Sequence, residues 1–320
     1  MQRLSYALVF ACGLISLSTN AQDLGGDMSL NKLLVPGSGW AVVVDGLAFA
    51  DGPCSDAEGN FYYSDMRPGG EGPGLFRIGA TDGVRRKLSD AAASGLMFGP
   101  DGRLYACQSG EQRVVAFDLK SGLMEVLAED VKPNDLVVNS KGHLYFTETR
   151  DHQVTFLNPE TKERRAVDTG ITAPNGIALS ADGGTLAVSD ARGMHVWVFR
   201  VEADGSLKFK EPFMTFRTAV DNTKKHPDGR SPVYKGFCRG DGMTSDMEGR
   251  WYVATELGVQ FFDPAGRISG VLPNPGAKGM TSVCLAGTKR DWLYATCGDT
   301  IYRRQVKAEG ALYFLNRSGR

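Results

Sequence analysis

Apolar and polar positions along this chain repeat in one pattern six times. A short apolar strand leads into an acidic or glycine-bearing turn, and a second strand follows with an apolar–aromatic pair. The copies are SDAEGNFYYSD (55–65), FGPDGRLYACQ (98–108), VNSKGHLYFTE (138–148), LSADGGTLAVSD (179–190), SDMEGRWYVAT (245–255) and CLAGTKRDWLYAT (284–296). The turn glycines Gly59, Gly102, Gly142, Gly183 and Gly249 are separated by 43, 40, 41 and 66 residues. In the sixth copy Lys289, Arg290 and Asp291 stand where the glycine would be. Two further strand-like segments follow each of the first three copies: 74–80 and 83–90, 113–119 and 122–130, 153–159 and 164–170. Four strands in about 40 residues is the signature of a propeller blade. No segment shows the 3.6-residue periodicity of an amphipathic helix, which excludes alternating βαβ units.

Six blades must close into a ring. The last repeat supplies three strands (280–287, 291–298 and 300–307), and the segment WAVVVDGLA (40–48) belongs to no blade of its own. The sequence therefore predicts an all-β, six-bladed β-propeller over 40–310, closed by this N-terminal strand, which covers an otherwise open sheet edge. The long fourth interval predicts a surface insertion at about 217–240, rich in Lys, Pro and Gly, and 311–320 reads as a C-terminal tail.

Composition agrees with many tight turns. Glycine makes up 40 of 320 residues, well above the usual ~7%. Lys plus Arg is 36 and Asp plus Glu 37, so no basic excess exists to neutralise a phosphate backbone, and nucleic acid is excluded as a partner. Residues 1–21 have the form of a secretory signal: Arg3, an apolar stretch, then Thr19-Asn20-Ala21 before Gln22. Residues 22–39 then read as a linker, and the expected location is periplasmic or secreted, with no membrane association after cleavage. The alternative is a retained anchor, because the stretch from Leu4 to Gln22 is uncharged and long enough to span. In a variant of that alternative Cys12 is lipidated, although Phe10 fits such a site poorly. Cleavage would leave five cysteines: Cys54, Cys107, Cys238, Cys284 and Cys297. With no C-x-x-C spacing, neither a structural zinc site nor a thioredoxin-like motif is indicated. Nothing in the pattern specifies an oligomeric state.

The candidate chemistry comes from the repeat register. Eight residues before the turn glycines lie Asp51, Ser94, Asn134, Asn175 and Asp241, and Thr281 is the counterpart in the sixth copy. All six bear oxygen, and each opens an innermost strand. In a propeller those strand starts crowd around the axis on one face. Asp51, Asn134, Asn175 and Asp241 would thus converge, and two carboxylates with two amide oxygens suit a hard cation such as Ca²⁺. The competing reading is local, since Asp-Gly and Asn-Gly are turn dipeptides and such side chains cap their own backbone.

The segments ADGP (50–53), KPNDLVV (132–138), APNGIAL (173–179) and GDGMTSDMEG (240–249) resemble the SMP-30/gluconolactonase/LRE family of six-bladed propellers. The resemblance runs from about Gly46 to Gln305. It implies one divalent cation, usually calcium, held by Asp51, Asn134, Asn175 and Asp241, and hydrolysis of a small-molecule lactone or ester. The cation would polarise the carbonyl and activate water, with Asp241 orienting that water and Lys132 and Asn134 contacting substrate. Two departures stand out. The family's first ligand is typically the Glu of an E-G-P motif, here Asp51, one methylene shorter. Where sugar-lactone members often carry Arg, this chain has Lys132, which keeps the charge without the bidentate fork. Two other readings share these ligands: a non-catalytic, metal-stabilised propeller that binds a ligand or protein, and a phosphotriesterase.

The remaining candidates are plainer. His143, His152, His195 and His226 lie off the ring and are read as structural or surface residues. Asp135 adjoins Asn134 as a supporting or turn residue, and Glu148 ends a strand facing either mouth or solvent. Cys54 and Cys284 are expected as buried thiols, with Cys284–Cys297 as a conceivable hairpin disulfide. Met97, Met243 and Met280 are expected to pack. Tyr234, Phe237 and Cys238, just before Asp241, would contribute to a lid.

Overall fold

The computed structural model describes residues 30–69 and 71–315, so the segment read as a signal sequence, the first part of the linker and the last residues of the tail lie outside the described residues. Six four-stranded antiparallel sheets follow one another. Their innermost strands are Ala50–Ser55, Gly95–Phe98, Leu136–Val138, Pro174–Leu179, Met243–Ser245 and Met280–Ala286. The expected six-bladed propeller is the observed fold. Blade six takes its outer strand from the N-terminus: Ala41–Val44 pairs antiparallel with Thr300–Gln305, Ala41 opposite Arg303 and Val42 opposite Tyr302. The strand is shorter than the apolar run suggested, because residues 45–49 leave the sheet edge and turn towards the axis. There the Ala48 and Phe49 amides donate to the Asp65 carboxylate at 3.0 and 2.8 Å.

The repeated turn has a physical basis. Gly59, Gly102, Gly142, Gly183 and Gly249 all adopt φ between 72° and 82°, a left-handed conformation that side chains disfavour. In the sixth turn Arg290 adopts φ 50° instead, which accounts for the missing glycine. The acidic residue of the turn anchors the aromatic of the next strand. Asp246, for example, accepts from Arg250 Nε at 2.5 Å and from the Tyr252 hydroxyl at 2.6 Å. The apolar faces of adjacent blades pack against each other, and Tyr63, Tyr105, Tyr145 and Tyr252 are fully buried between them.

Three segments outside the blades are well placed. Leu30–Leu33 forms a short helical turn beside blade five. Past the last strand, Leu312, Tyr313 and Phe314 are buried, and Tyr313 accepts the Ser245 amide at 2.8 Å, so this end of the chain packs against the blades. The segment between Thr215 and Met243 is an irregular excursion pinned by a Val220–Tyr234 bridge. All five described cysteines are buried and free. Cys284 lies opposite Tyr294, whereas Cys297 lies opposite Met280. The two thiols are thus several residues apart along the hairpin, roughly 10 Å or more at strand rise, and the conceivable disulfide does not form.

Candidate metal centre and its mouth

The six oxygen-bearing residues do form a ring, and hydrogen bonds to the backbone join each sector to the next, beginning with the Ala93 amide of blade two, which donates to Ser64 Oγ of blade one at 3.0 Å. Ser94 Oγ donates to the Asn134 carbonyl at 2.6 Å, Thr147 Oγ1 to the Asn175 carbonyl at 2.6 Å, and Ser189 Oγ to the Asp241 carbonyl at 2.9 Å. The Gly242 amide donates to the Thr281 carbonyl at 2.9 Å, and Thr281 Oγ1 to the Ala50 carbonyl at 3.0 Å. Three ring residues, Asp51, Asn175 and Thr281, sit where the strand register slips, and such bulges re-aim side chains out of the pleat. Glycine makes the crowding feasible. A Cβ at Gly176 would lie 2.2 Å from the Asp241 carbonyl oxygen, and one at Gly95 would lie 2.7 Å from the Asp135 Cα.

The ring is acidic at its base. Asp51 accepts the Gly52 amide at 2.9 Å and Asp241 the Gly242 amide at 3.0 Å. Asp135 joins them: it accepts its own neighbour Leu136 at 2.8 Å and, from the next blade, the Ile177 amide at 3.2 Å. Surrounding protein raises the carboxyls of Asp51 and Asp135 from 3.8 to about 7. That of Asp241 is pushed well above its ordinary value, first by burial and then by the charges of Asp51 and Asp135. No Lys or Arg pairs with any of the three among the described residues. Asn175 Oδ1 is also buried without a hydrogen-bond partner.

These features fit a cation: uncompensated carboxylates and an orphaned amide oxygen gain what they lack from a hard ion. Among the described residues no three His, Cys, Asp or Glu side chains gather as a metal cluster. An ion here would therefore depend on the amide oxygens of Asn134 and Asn175 as well as on Asp51 and Asp241.

Above the ring lies a mouth of connected clefts. One of about 810 Å³ is lined by Arg150, His152, Arg192, Phe237, Arg239 and Asp241. A second of about 610 Å³ runs from Asp241 and Thr281 past Arg67 and Glu256. A third of about 530 Å³ holds Lys132, Asn134 and Arg150. Lys132 Nζ is tied to Asp151 at 2.8 Å on the rim. Glu256 Oε1 is buried and unpartnered, while its other oxygen holds Lys235 at 2.7 Å. Of the residues preceding Asp241, Phe237 lines the mouth, Cys238 is buried against Gln260 and Arg217, and Tyr234 is exposed.

Glu148 faces neither mouth nor solvent. It is buried, accepting the Lys132 amide at 3.0 Å, Gln153 at 2.5 Å and Thr155 at 2.6 Å. Asp65 and Asp190 play the same part in blades one and four, holding the chain that enters their own inner strands. Met243 and Met280 are buried in the core, and Met97 packs against three clusters near the axis. His143 packs edge-on to Phe156, and His195 Nδ1 is 3.2 Å from Thr215 Oγ1. His226 pairs with Asp228 in the insertion. His152, however, lines the mouth. Ser94 and Thr281 were expected on the ring, but the arginines and the hydroxyls of Ser64, Thr147 and Ser189 were not singled out from the sequence. Their signal is SDMR (64–67), TETR (147–150) and SDAR (189–192): a hydroxyl, an acid and, two residues later, an arginine at the same register in three blades.

Fold and ring together define the class: a six-bladed propeller with oxygen-bearing side chains gathered at its axial mouth. Residues 49–299 match the SMP-30/Gluconolactonase/LRE-like region, and the chain belongs to that family. A gluconolactonase of Zymomonas mobilis is 25% identical over 252 residues, covering 70% of this chain and 66% of that protein. The lactonase drp35 of Staphylococcus epidermidis is 26% identical over 183 residues, covering 52% of this chain and 55% of the relative. The chain thus spans just under two thirds of the first relative and about half of the second. Among solved structures, a gluconolactonase from Xanthomonas campestris superposes with a TM-score of 0.70 at 21% identity, covering 87% of this chain and 92% of that one. Regucalcin from Agrobacterium tumefaciens, described as a calcium-binding protein, gives 0.67 at 18%, covering 87% and 98%. At these identities the superpositions speak for the fold.

Proposed function

We propose that this protein is a divalent-cation-dependent hydrolase of small lactones or related esters, acting at the axial mouth. One observation carries the reading: Asp51, Asp241 and the orphaned Asn175 Oδ1 meet at the ring below an open cleft, and no Lys or Arg forms an ion pair with either carboxylate among the described residues. Asp51, Asn134, Asn175 and Asp241 would hold the ion, Ca²⁺ by the chemistry of this donor set. When bound, the ion supplies Lewis-acid polarisation of a carbonyl and charge for the developing oxyanion.

The chain's own residues do the rest. Asp241 lines two of the clefts and keeps one oxygen on the Gly242 amide. It orients the attacking water and receives its proton as the carbonyl carbon gains the new C–O bond. The ring C–O bond then breaks, and the departing alkoxide takes that proton from Asp241, which returns to its carboxylate form. Asn134 and Glu256 offer substrate hydroxyls an amide and an unpartnered carboxylate oxygen. Lys132 reaches a substrate only by leaving Asp151, a rim ion pair of small worth. A panel of lactones and carboxylic esters, assayed with EDTA and with added Ca²⁺, tests the reading. Activity that survives complete chelation, or no turnover of any compound, refutes it.

We further propose that the chain is exported with residues 1–21 removed, on the strength of their apolar stretch and small residues before Gln22.

A further inference from the structure

The mouth combines an acidic base with a basic wall. Arg67, Arg150 and Arg192 arrive from blades one, three and four at the same repeat position, two residues after the acid that closes the second strand. Arg239, two residues before Asp241, completes the wall and lines both larger clefts. All four side chains are exposed. Arg67 stacks over the Phe49 ring at 4.2 Å; beyond that, none of the four guanidinium groups forms an ion pair or side-chain hydrogen bond among the described residues.

The two lysines of the mouth are already paired. Lys132 pairs with Asp151, Lys278 with Asp299, and Glu256 with Lys235. Asp51, Asp135 and Asp241 lie below at the ring, and Glu111 lines the cleft on the Lys132 side. Guanidinium groups held free around one opening, on a chain with almost balanced charge, focus a local positive field. Their planar forks match carboxylate and phosphate oxygens.

We propose that the mouth selects anionic substrates: lactones that carry a carboxylate or phosphate group in addition to the ring ester, with Arg150, Arg192 and Arg239 gripping the anion while the ester lies over the ring. This rests on the lactonase reading above. It also accounts for Lys132, since anchoring of the substrate passes from that paired side chain to the arginines.

The test compares a neutral sugar lactone, glucono-δ-lactone, with the carboxylate-bearing glucaro-1,4-lactone and with 6-phosphogluconolactone, all on the Ca²⁺-loaded protein. The preference of kcat/KM for at least one anionic lactone should be about tenfold or more at low salt and shrink as salt is raised. Arg192→Met and Arg239→Met should each lower that preference severalfold, towards parity, mainly through KM, and Arg192→Lys should restore part of it. The larger of the two anionic rates tells carboxylate from phosphate. A neutral lactone turned over as well as both anionic ones, with the arginine variants affecting all three alike, overturns the proposal. If no lactone is hydrolysed, the lactonase reading falls, and calorimetry with D-glucarate and 6-phosphogluconate decides this one. Binding that is weakened by Arg192→Met upholds anion selection, and no binding of either probe to the wild-type protein refutes it.

Discussion

Replacing Asp241 by Asn should stabilise the metal-free protein while removing its response to calcium. Asn is nearly isosteric with Asp and keeps an oxygen for the Gly242 amide, so the contact at 3.0 Å survives. What changes is one negative charge among three carboxyls crowded by protein. An acid held above its unfolded value destabilises the fold at any pH above that unfolded value, and the penalty is relieved as pH falls through the folded value. For Asp51, raised from 3.8 to about 7, the penalty near pH 7.5 is about 4 kcal/mol at 1.36 kcal/mol per unit. Asp241 is raised in the same direction by burial and by the charges of Asp51 and Asp135, so removing its charge should relieve a penalty of the same sign and raise Tm by several degrees. Wild-type protein in EDTA should also be more stable at pH 6 than at pH 8, with the difference smaller but still present in the variant, because Asp51 and Asp135 still titrate in that range. Saturating Ca²⁺ reverses the order: at a hundredfold excess over Kd it stabilises the wild type by about 2.7 kcal/mol and the variant hardly at all. Differential scanning calorimetry in EDTA and in Ca²⁺ reads both effects. A chelated variant that melts at or below the wild type, or one that gains as much from Ca²⁺, refutes the assignment of Asp241 to an uncompensated cation site.

Asn175→Ala removes the orphaned oxygen but no charge, so Ca²⁺ affinity by calorimetry should fall about 10–100-fold, with activity partly regained at high Ca²⁺; unchanged affinity would count against Asn175 as a ligand. Asp51→Glu should retain Ca²⁺ binding, because the longer arm serves a ring whose other members are unchanged; loss of binding would show that the position of the shorter carboxylate is essential. Gly176→Ala places a methyl 2.2 Å from the Asp241 carbonyl oxygen, against backbone that cannot rotate away, and should cost about 1–3 kcal/mol together with Ca²⁺ affinity; a wild-type Tm would contradict the close approach of blades four and five. Deleting residues 40–44 strips the outer strand from blade six and should broaden or abolish cooperative melting; a sharp, wild-type transition would refute closure by that strand. Mass spectrometry of protein recovered outside the cytoplasm should show a chain beginning at Gln22, and a retained Met1 would overturn export with cleavage.

The number of blades, their order and the strand that closes them were legible in the chain. Each blade is a local unit whose meander is dictated by short-range alternation and by turns that demand a left-handed residue, as at Gly142 and Gly249. The ring was legible for the same reason: identical units place identical register positions at the axis, so counting back from the turn glycines reached Asp51, Asn134, Asn175 and Asp241. Where a side chain points after it leaves the repeat depends on neighbours in other blades. Lys132 is claimed by Asp151, a pairing with no periodic signature, whereas the acid at the Glu148 position recurs as Asp65 and Asp190 and holds the incoming chain in each of those blades. Cys284 and Cys297 share a hairpin, yet strand register keeps them apart. Arg239 reaches the mouth through the irregular segment before Met243, where no period constrains the chain, while His152 sits at a repeated hairpin turn whose counterpart in blade two is Gln112. Sequence alone determined what recurs every 40 residues or so, because local geometry is set by local residues. Tertiary structure decided which charges stay free and which are neutralised, because that depends on distances between blades that the repeat does not encode.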